Sequence, residues 1–237
     1  MLHRTATSCI SVLMSRDLAY LPIKVAIENG ATLIFIKGPF MVFEELRRQA
    51  IYVVGSLEDY LNADYQIDFN RYHIAYFYDK ELGEYFKKQY PETSPLMGFY
   101  VFNNFDNHII DNGEVDFRVM SDADFDVVHQ HYPYLSVEEA HETLQNKRIF
   151  GLYVEEKLVG FIGLHSDQTM GMLRIFEEYR RHGYGFALEA ALNNYLVEHQ
   201  RLVYCHVEET NEASLKLQHK LGFTQSNKKQ YWLFNEK

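Results

Sequence analysis

The sequence predicts an α/β protein in which a mixed sheet is covered by helices. Three observations support this fold class. Strand-like and helix-like patterns alternate along most of the chain, and three strand-like runs follow one another between residues 148 and 176. Hydrophobic residues make up 47% of the 237 residues and charged residues 24%, the balance of a soluble globular protein with a substantial core. The length allows one large domain or two small ones, and we expect two.

The first half of the chain alternates helix and strand. Residues 17–29 are predicted to be helical, with Gly30 as the C-terminal cap. "ATLIFIKG" and the end of "EELRRQAIYVVG" are predicted strands, "LEDYLNA" a helical turn and "MGFYVFNN" another strand. The aromatic stretch "RYHIAYFYDKELGEYFKKQY" favours neither type of element. This half contains no glycine-rich phosphate loop, no metal-ligand spacing and no nucleophile motif.

A connector is predicted at residues 104–116. "NFDNHIIDNGEVD" concentrates Asn, Asp and Gly between two apolar stretches, which is typical of a link between domains. We therefore expect a smaller N-terminal α/β domain over residues 1–110 and a second domain over residues 114–237.

The second half predicts a longer series of elements. "FRVM" is a strand, Ser121 and Asp124 open a capped helix, and "VEEAHETLQN" gives a second short helix. "RIFGLYVEE", "KLVGFIGLHSD" and "TMGMLRIF" are three strands, of which the first two form an antiparallel hairpin. A helix in "LEAALNNYLVEH", a strand in "RLVYCHVE", a helix in "EASLKLQHKLGF" and a closing strand in "KKQYWLFNE" complete the order β-α-α-β-β-β-α-β-α-β.

The charge and the two cysteines limit the classes of partner. A formal net charge of −10 argues against nucleic acid as a partner and mildly favours a cationic substrate. Cys9 and Cys205 are far apart in the sequence, which favours a reducing, cytoplasmic compartment over a disulfide framework. The most apolar window contains Lys37 and falls well short of the ~20 residues that span a bilayer. No secretory signal pattern is present at the N-terminus, so we expect no membrane partner.

The glycine loop "RRHGYG" precedes a helix with an apolar stripe at Leu188, Leu192 and Leu196. Unpaired backbone N–H groups and the positive end of the macrodipole make such a helix start favourable for an anion. Gly183 and Gly185 lack Cβ atoms, so the backbone there can lie directly against a phosphate oxygen. The alternative is an ordinary turn with its arginines in solvent.

A second motif favours the functional interpretation of the loop. "NEASLKLQHKLGF" places Asn211 at an N-cap and Gly222 at the helix end. The loop fits the pattern [QR]-x-x-G-x-[GA], and the two motifs occur in the order and separation found in the GNAT superfamily of acetyl-CoA-dependent N-acyltransferases. Residues 114–237 resemble that family. The N-terminal half is similar either to a degenerate acyltransferase fold, as in the two-domain glycine N-acyltransferase-like branch, or to a substrate-recognition domain.

The resemblance implies a coenzyme A site and a reaction. Acetyl-CoA would be the co-substrate, and a substrate amine would attack the bound thioester directly, with no covalent enzyme intermediate. The strand residues Leu173, Arg174 and Ile175 would bind the pantetheine arm and polarise the thioester carbonyl, beside a splay between this strand and "LVYCHVE". Asn211 would bind further along the arm. The pyrophosphate would be held by Arg180, Arg181, His182, Gly183, Tyr184, Gly185 and Phe186.

The chemistry also requires proton transfer, because an ammonium group cannot attack and a leaving thiolate benefits from a hydrogen-bond donor. Many members of the family use a tyrosine for the thiolate, but the matching position here is Gln218, which cannot lose a proton at neutral pH. Glu208 is the first candidate for the base, with His206 and His165 as the others; each could instead be an ordinary surface residue.

Two further patterns have simpler interpretations. Cys205 lies in an apolar run and is expected to be a packing residue rather than a nucleophile. "HQH" at residues 129–131 has a spacing found in some metal sites, but a third ligand is not evident, so no metal is predicted.

The sequence therefore predicts an N-acetyltransferase that acts on a primary amine of a small molecule or amino-acid-like acceptor. Two alternatives remain: a module that binds acetyl-CoA without turning it over, and a protein N-acetyltransferase. A monomer and a homodimer are both compatible with the sequence.

Overall fold

A computed structural model describes residues 17–103, 108–109 and 116–235. Most of the predicted connector and the N-terminal segment with Cys9 lie outside these residues. By the spatial clustering of its Cα atoms, the chain divides into two compact units. Among the described residues, the first unit contains 17–100, 207–212 and 225–235. The second contains the described residues of 101–206 and 213–224.

The described residues form seven α-helices and twelve strands. The helices are α1 (Leu21–Glu28), α2 (Leu57–Leu61), α3 (Lys80–Gln89), α4 (Phe125–His131), α5 (Val137–Gln145), α6 (Tyr184–Glu198) and α7 (Glu212–Lys220). The strands are β1 (Thr32–Lys37), β2 (Phe40–Glu45), β3 (Ala50–Val54), β4 (Ile74–Phe77), β5 (Thr93–Phe102), β6 (Asp116–Val119), β7 (Ile149–Val154), β8 (Lys157–Leu164), β9 (Met170–Ile175), β10 (Tyr204–Glu208), β11 (Thr224–Gln225) and β12 (Gln230–Asn235).

The sheet of the first unit has the strand order β1-β2-β3-β4-β12-β5. Strands β3 and β4 are parallel, whereas β12 lies between β4 and β5 and is antiparallel to both. Trp232 on β12 is opposite Tyr76 on one side and Leu96 on the other. The C-terminal strand therefore completes the sheet of the first unit.

One face of this first sheet is covered by an aromatic core. Phe77 of β4 packs against Phe86 of α3 with the ring centroids 5.0 Å apart, and Phe40 packs against Tyr60 of α2 at 5.6 Å. Gly83 of α3 lies so close to the Tyr231 ring that a Cβ there would come within 2.4 Å of it. The glycine is required for the helix to lie directly on the sheet.

The sheet of the second unit has the order β10-β9-β8-β7-β6. Strands β6 to β9 pair antiparallel, and β10 pairs parallel with β9. The apolar cluster beside α4 and α5 includes Val128, Leu144, Phe161 and Met172. Helix α6 is apolar on several sides, and Leu188, Leu192 and Leu196 of its predicted stripe are fully buried.

The predicted fold class is confirmed, and most predicted elements are found. The antiparallel hairpin of β7 and β8 is present. The unassigned aromatic stretch forms β4 and α3. Strand β2 was not predicted, and the segment expected to close the second domain pairs with β4 and β5 instead. The boundaries 1–110 and 114–237 stay a prediction, although residues 207–212 and 225–235 cluster with the first unit.

Candidate functional site

The loop at residues 176–183, between β9 and α6, is held by its own contacts. Arg180 donates from Nε to the carbonyl oxygen of Ile175 at 3.1 Å, which fixes the loop to the end of β9. The backbone N–H of Tyr179 donates to Phe176 O at 2.9 Å, and His182 Nδ1 lies 3.2 Å from Tyr179 O. The loop is therefore shaped by hydrogen bonds that leave its C-terminal amides unused.

Those amides form an open row at the start of α6. The backbone N–H groups of Phe186 and Ala187 both donate to Gly183 O, at 3.0 and 3.1 Å. Among the described residues, no acceptor makes a hydrogen bond to the backbone N–H groups of residues 181–185, and Gly183 gives no side-chain cap. A helix start in this state is a favourable place for an anion.

Gly183 is required by its backbone conformation. Its φ of +87° lies in the left-handed region, where a β-branched residue is strained. A Cβ built on Gly183 would meet no atom within 4 Å, so the position is open on its outer side.

Positive charge surrounds this helix start. Arg180, Arg181 and His182 are all exposed on the loop. From α7, Lys220 places Nζ 4.8 Å from the centroid of the Phe186 ring. The first turn of α6 contains no acidic residue. Glu177 and Glu178 lie earlier on the same loop, so the cations adjoin the helix start itself.

Strand β9 is bent by an irregularity in its pairing with β8. The register shifts between the pairs Phe161–Arg174 and Gly163–Gly171, and Met172 within this interval has a φ of +57°. Such a bulge changes the direction of the side chains that follow it. Toward β10, Met170 lies opposite Cys205, and β9 continues to Ile175 beyond this pair.

Arg174 of β9 is held against the segment that follows α4. Its Nε donates to the carbonyl oxygen of His131 at 3.0 Å. Its guanidinium carbon lies 5.2 Å from the ring centroid of Tyr132 and 5.7 Å from that of Tyr134. The predicted coenzyme strand is thus tied through one side chain to the connection between α4 and α5.

Gln218 is buried between α6 and α7, where it meets an acidic residue that was not predicted as part of the site. Only 2% of Gln218 and 4% of Glu189 are exposed. Gln218 Nε2 donates to Glu189 Oε1 at 2.5 Å. Glu189 Oε2 and Gln218 Oε1 are both buried and lack a partner among the described residues.

Burial raises the pKa of Glu189 to about 7, although the hydrogen bond from Gln218 acts in the opposite direction. Once the carboxyl is protonated, its O–H can donate to the oxygen of Gln218, so that both unpaired acceptors are satisfied by one proton. Cys205 is buried nearby, and burial followed by the charge of Glu189 raises the pKa of its thiol well above the usual value. This thiol is therefore a packing group, as the apolar run around it predicts.

The predicted bases lie in different surroundings. His206 Nε2 is 3.5 Å from Asp167 Oδ2, and the side chains are 22% and 11% exposed. The His165 ring packs on Gly171, where a Cβ would come within 2.2 Å of its Nε2. Glu208 and Asn211 belong to the first unit and are exposed, and Asn211 donates from its backbone N–H to Glu208 O.

The glycine loop and the order of strands and helices around it are those of an acyltransferase domain, and the comparison with protein families agrees. Residues 114–223 match the model of the acetyltransferase (GNAT) family. Residues 114–223 are therefore similar to an acetyltransferase domain of the GNAT family. This match supports an acyl-CoA-dependent N-acetyltransferase in general terms, and members of that family generally use acetyl-CoA. A comparison with curated proteins finds no match.

Solved structures share the fold at low sequence identity. A Drosophila protein is 17% identical with a TM-score of 0.61, over 82% of this chain and 73% of its own. A GCN5-related N-acetyltransferase from Kribbella flavida is 9% identical with a TM-score of 0.56, over 93% and 95%. A GCN5-related N-acetyltransferase-like protein from Streptococcus suis is 12% identical with a TM-score of 0.51, over 97% and 100%. The similarity to these structures includes both halves of the chain.

The described parts of the chain contain neither a metal-ligand cluster nor a membrane-spanning helix. Residues 17–103, 108–109 and 116–235 contain no group of three or more His, Cys, Asp or Glu side chains placed to hold a metal ion. In the same residues, every helix is too short or too polar to cross a bilayer.

Proposed function

We propose that this protein transfers an acetyl group from acetyl-CoA to a primary amine of a small molecule. The observation that carries the proposal is the open row of backbone N–H groups at residues 181–185, which follows β9 directly in a domain similar to the GNAT family. The row offers several donors to a diphosphate, at the positive end of a helix and near the cationic side chains of Arg180, Arg181 and Lys220.

The remaining roles follow from the positions of the residues. The backbone of Leu173, Arg174 and Ile175 would bind the pantetheine arm and polarise the thioester carbonyl. The amine attacks the carbonyl carbon, the carbon–sulfur bond breaks, and the amine loses one proton. We assign that proton to His206, because Asp167 is close enough to orient its ring. Glu208 and His165 stay as the other predicted candidates.

Gln218 does not serve as an acid in this proposal. Its amide is buried and engaged by Glu189, and an amide does not release a proton at neutral pH. The leaving thiolate, whose conjugate acid resembles a cysteine thiol with a pKa near ~8.5, would take its proton from solvent. Turnover would therefore be slower than in a relative with a tyrosine at this position.

The test is the release of free thiol from acetyl-CoA in the presence of a panel of primary amines, together with calorimetric titration of acetyl-CoA. We expect coenzyme binding and amine-dependent release. His206→Gln should lower kcat strongly without changing coenzyme affinity, whereas His199→Gln, on the exposed end of α6, is the matched control. Failure to bind acetyl-CoA would remove the proposal.

The burial of Gln218 also favours a second candidate, a domain that binds acetyl-CoA without turning it over. Tight coenzyme binding with no amine-dependent thiol release across a broad panel would support this candidate. Incubation with labelled acetyl-CoA and cell extract separates the third possibility, because a protein acetyltransferase would place the label in macromolecules.

A further inference from the structure

Arg174 is an arginine without an acidic partner in an acidic chain. Within the described residues its one hydrogen bond goes to the carbonyl oxygen of His131, and no carboxylate pairs with it. Arg48 pairs with Glu45 at 3.1 Å and Arg148 with Glu142 at 3.4 Å. Arg180 also lacks a carboxylate among the described residues, so what distinguishes Arg174 is the way its guanidinium is held.

The guanidinium of Arg174 is also fixed in orientation. Nε is occupied by His131 O, and the rings of Tyr132 and Tyr134 lie at distances where they attract the cation. The two terminal nitrogens keep four N–H donors that no described residue accepts. The two terminal nitrogens can therefore make two parallel hydrogen bonds to a planar oxyanion. Because the guanidinium is already held in place, binding costs less entropy than it would for a mobile side chain.

We propose that Arg174 binds the carboxylate of the acceptor, so that the substrate is a molecule with both a primary amine and a carboxylate, as in an amino acid. This inference rests on the proposed function, because it assigns the acceptor class of the same reaction. A carboxylate matches the planar fork of a guanidinium, and the diphosphate of the coenzyme already has its donors at residues 181–185. Tyr134, which is 74% exposed, would lie beside the bound acceptor.

The expected effect is large enough to measure. A charge-assisted hydrogen-bonded pair contributes ~1.5–3 kcal/mol, which corresponds to roughly a 10-fold to 100-fold difference in affinity. Because the contact does not change as the thioester is attacked, its loss should raise KM and leave kcat nearly unchanged.

The first experiment compares amino acids with the amines that result from their decarboxylation, using thiol release. In the wild type, kcat/KM should favour the amino acid of each pair by about 10-fold to 100-fold. Arg174→Gln should reduce this ratio to about one, and Arg174→Lys, which keeps the charge but not the fork, should give an intermediate value. Comparing the ratio between variants cancels the different reactivities of the two amines.

Arg118→Gln is the matched control, because Arg118 also stacks on a tyrosine, with its guanidinium carbon 4.5 Å from the Tyr153 ring centroid, but is paired with Glu156 at 2.9 Å. Arg118→Gln should leave the ratio of kcat/KM for the amino acid to that for the amine unchanged. Equal use of the amino acid and the amine by the wild type would overturn the assignment of Arg174 while leaving acetyl transfer intact.

A second measurement does not depend on turnover. Calorimetric titration of N-acetylated amino acids and of the matching N-acetylated amines into the coenzyme-loaded protein reports carboxylate binding alone. We expect only the former to bind, with affinity lost in Arg174→Gln and coenzyme affinity unchanged. A loss of coenzyme affinity with carboxylate binding intact would instead place Arg174 at a phosphate of the coenzyme and overturn the inference.

Discussion

Two strand-to-helix connections, one in each unit, treat the start of the helix in different ways. In the first unit, β4 ends at Phe77 and α3 begins at Lys80, and the side chain of Asp79 accepts from the backbone N–H of Leu82 at 2.8 Å. In the second unit, residues 176–183 join β9 to α6, and Gly183 at the cap position offers no side chain.

A helix start without a cap is less stable than a capped one, but its free N–H groups can bind an anion. A capped start such as that of α3 stabilises its own helix by about 1 kcal/mol, and Glu81 adds a favourable negative charge in the first turn. The start of α6 lacks that stabilisation, and its first turn contains no acidic residue. Only the second arrangement has donors left for an external anion, so coenzyme binding is expected in the second unit alone.

The largest expected effect comes from a substitution that disturbs the uncapped start of α6. Gly183→Val places a β-branched side chain at a φ of +87°, which forces the backbone of the loop to change, so acetyl-CoA affinity should fall by at least about 1000-fold as several charge-assisted hydrogen bonds are lost together. Isothermal titration measures this loss.

Gly30→Val is the control for this variant, because Gly30 also has a positive φ, +104°, and open space around its missing Cβ, but ends α1 in the first unit. It should bind acetyl-CoA as the wild type does. Unchanged affinity in Gly183→Val would show that the amides at residues 181–185 are not the phosphate site.

The next largest effect concerns stability, to which a carboxylate in each unit contributes differently. Asp79 stabilises the helix that it caps, whereas Glu189 is buried in α6 with its pKa raised from 4.5 to about 7. Between these two values the unfolded chain loses the proton and the folded protein keeps it, so stability falls as the pH rises from about 4.5 to about 7 and is then constant with respect to this group. The contribution is about 3 kcal/mol.

Glu189→Gln tests this pH dependence, since a glutamine can donate to and accept from Gln218 as the protonated acid does. Urea unfolding across the pH range should show the variant more stable above pH 7 by up to about 3 kcal/mol, and similar to the wild type near pH 4.5. Parallel stability curves for the two proteins would refute the protonated pair. Glu198→Gln, exposed at the end of α6, should behave as the wild type.

A smaller effect is expected from removing the side-chain cap at the start of α3. Asp79→Ala removes the cap of α3 and should lower the free energy of unfolding by about 1 kcal/mol, with acetyl-CoA affinity unchanged. Denaturant titration and calorimetry measure the two quantities. A loss of coenzyme affinity here would contradict the division of roles between the two helix starts.

The smallest effect concerns the charge around the open start. Arg181→Gln should weaken acetyl-CoA binding by only about 2-fold to 5-fold at low ionic strength, because an exposed cation contributes little in water. The difference should disappear in about 0.5 M salt. Arg47→Gln, an equal change of charge on the exposed surface of the first unit, should have no effect at either concentration.

The parts of the fold that were predictable are those with local causes. The glycines at 183 and 185 and the stripe from Leu188 to Leu196 mark the start and the buried side of α6 within a short window. The position of β12 was not predictable, because its partners β4 and β5 lie more than a hundred residues earlier and its alternating pattern fits many neighbours. Strand β2 was not predicted, because Gly38 and Pro39 directly before it suggest a turn and not the start of a separate strand.

The site was predictable where it depends on backbone and motif, and less so where side chains meet through space. Gln218 was identified from its place in the motif, but Glu189 was not, because it lies 29 positions away and acids are rarely buried. One indication was present: Glu189 is one helical turn before Leu192 and Asn193 on the buried side. The contacts of Arg174 with Tyr132 and Tyr134 depend on tertiary packing that spacing does not encode.

The place of β12 between β4 and β5 has a consequence for synthesis of the protein. During translation, β4 and β5 leave the ribosome long before residues 230–235 are made, and until then the two strands have no partner between them. The first unit must therefore wait for the end of the described chain before its sheet can close, although domains usually fold in the order in which they are made. Nascent chains stopped before residue 230 should thus be vulnerable to proteases in their earliest-made portion.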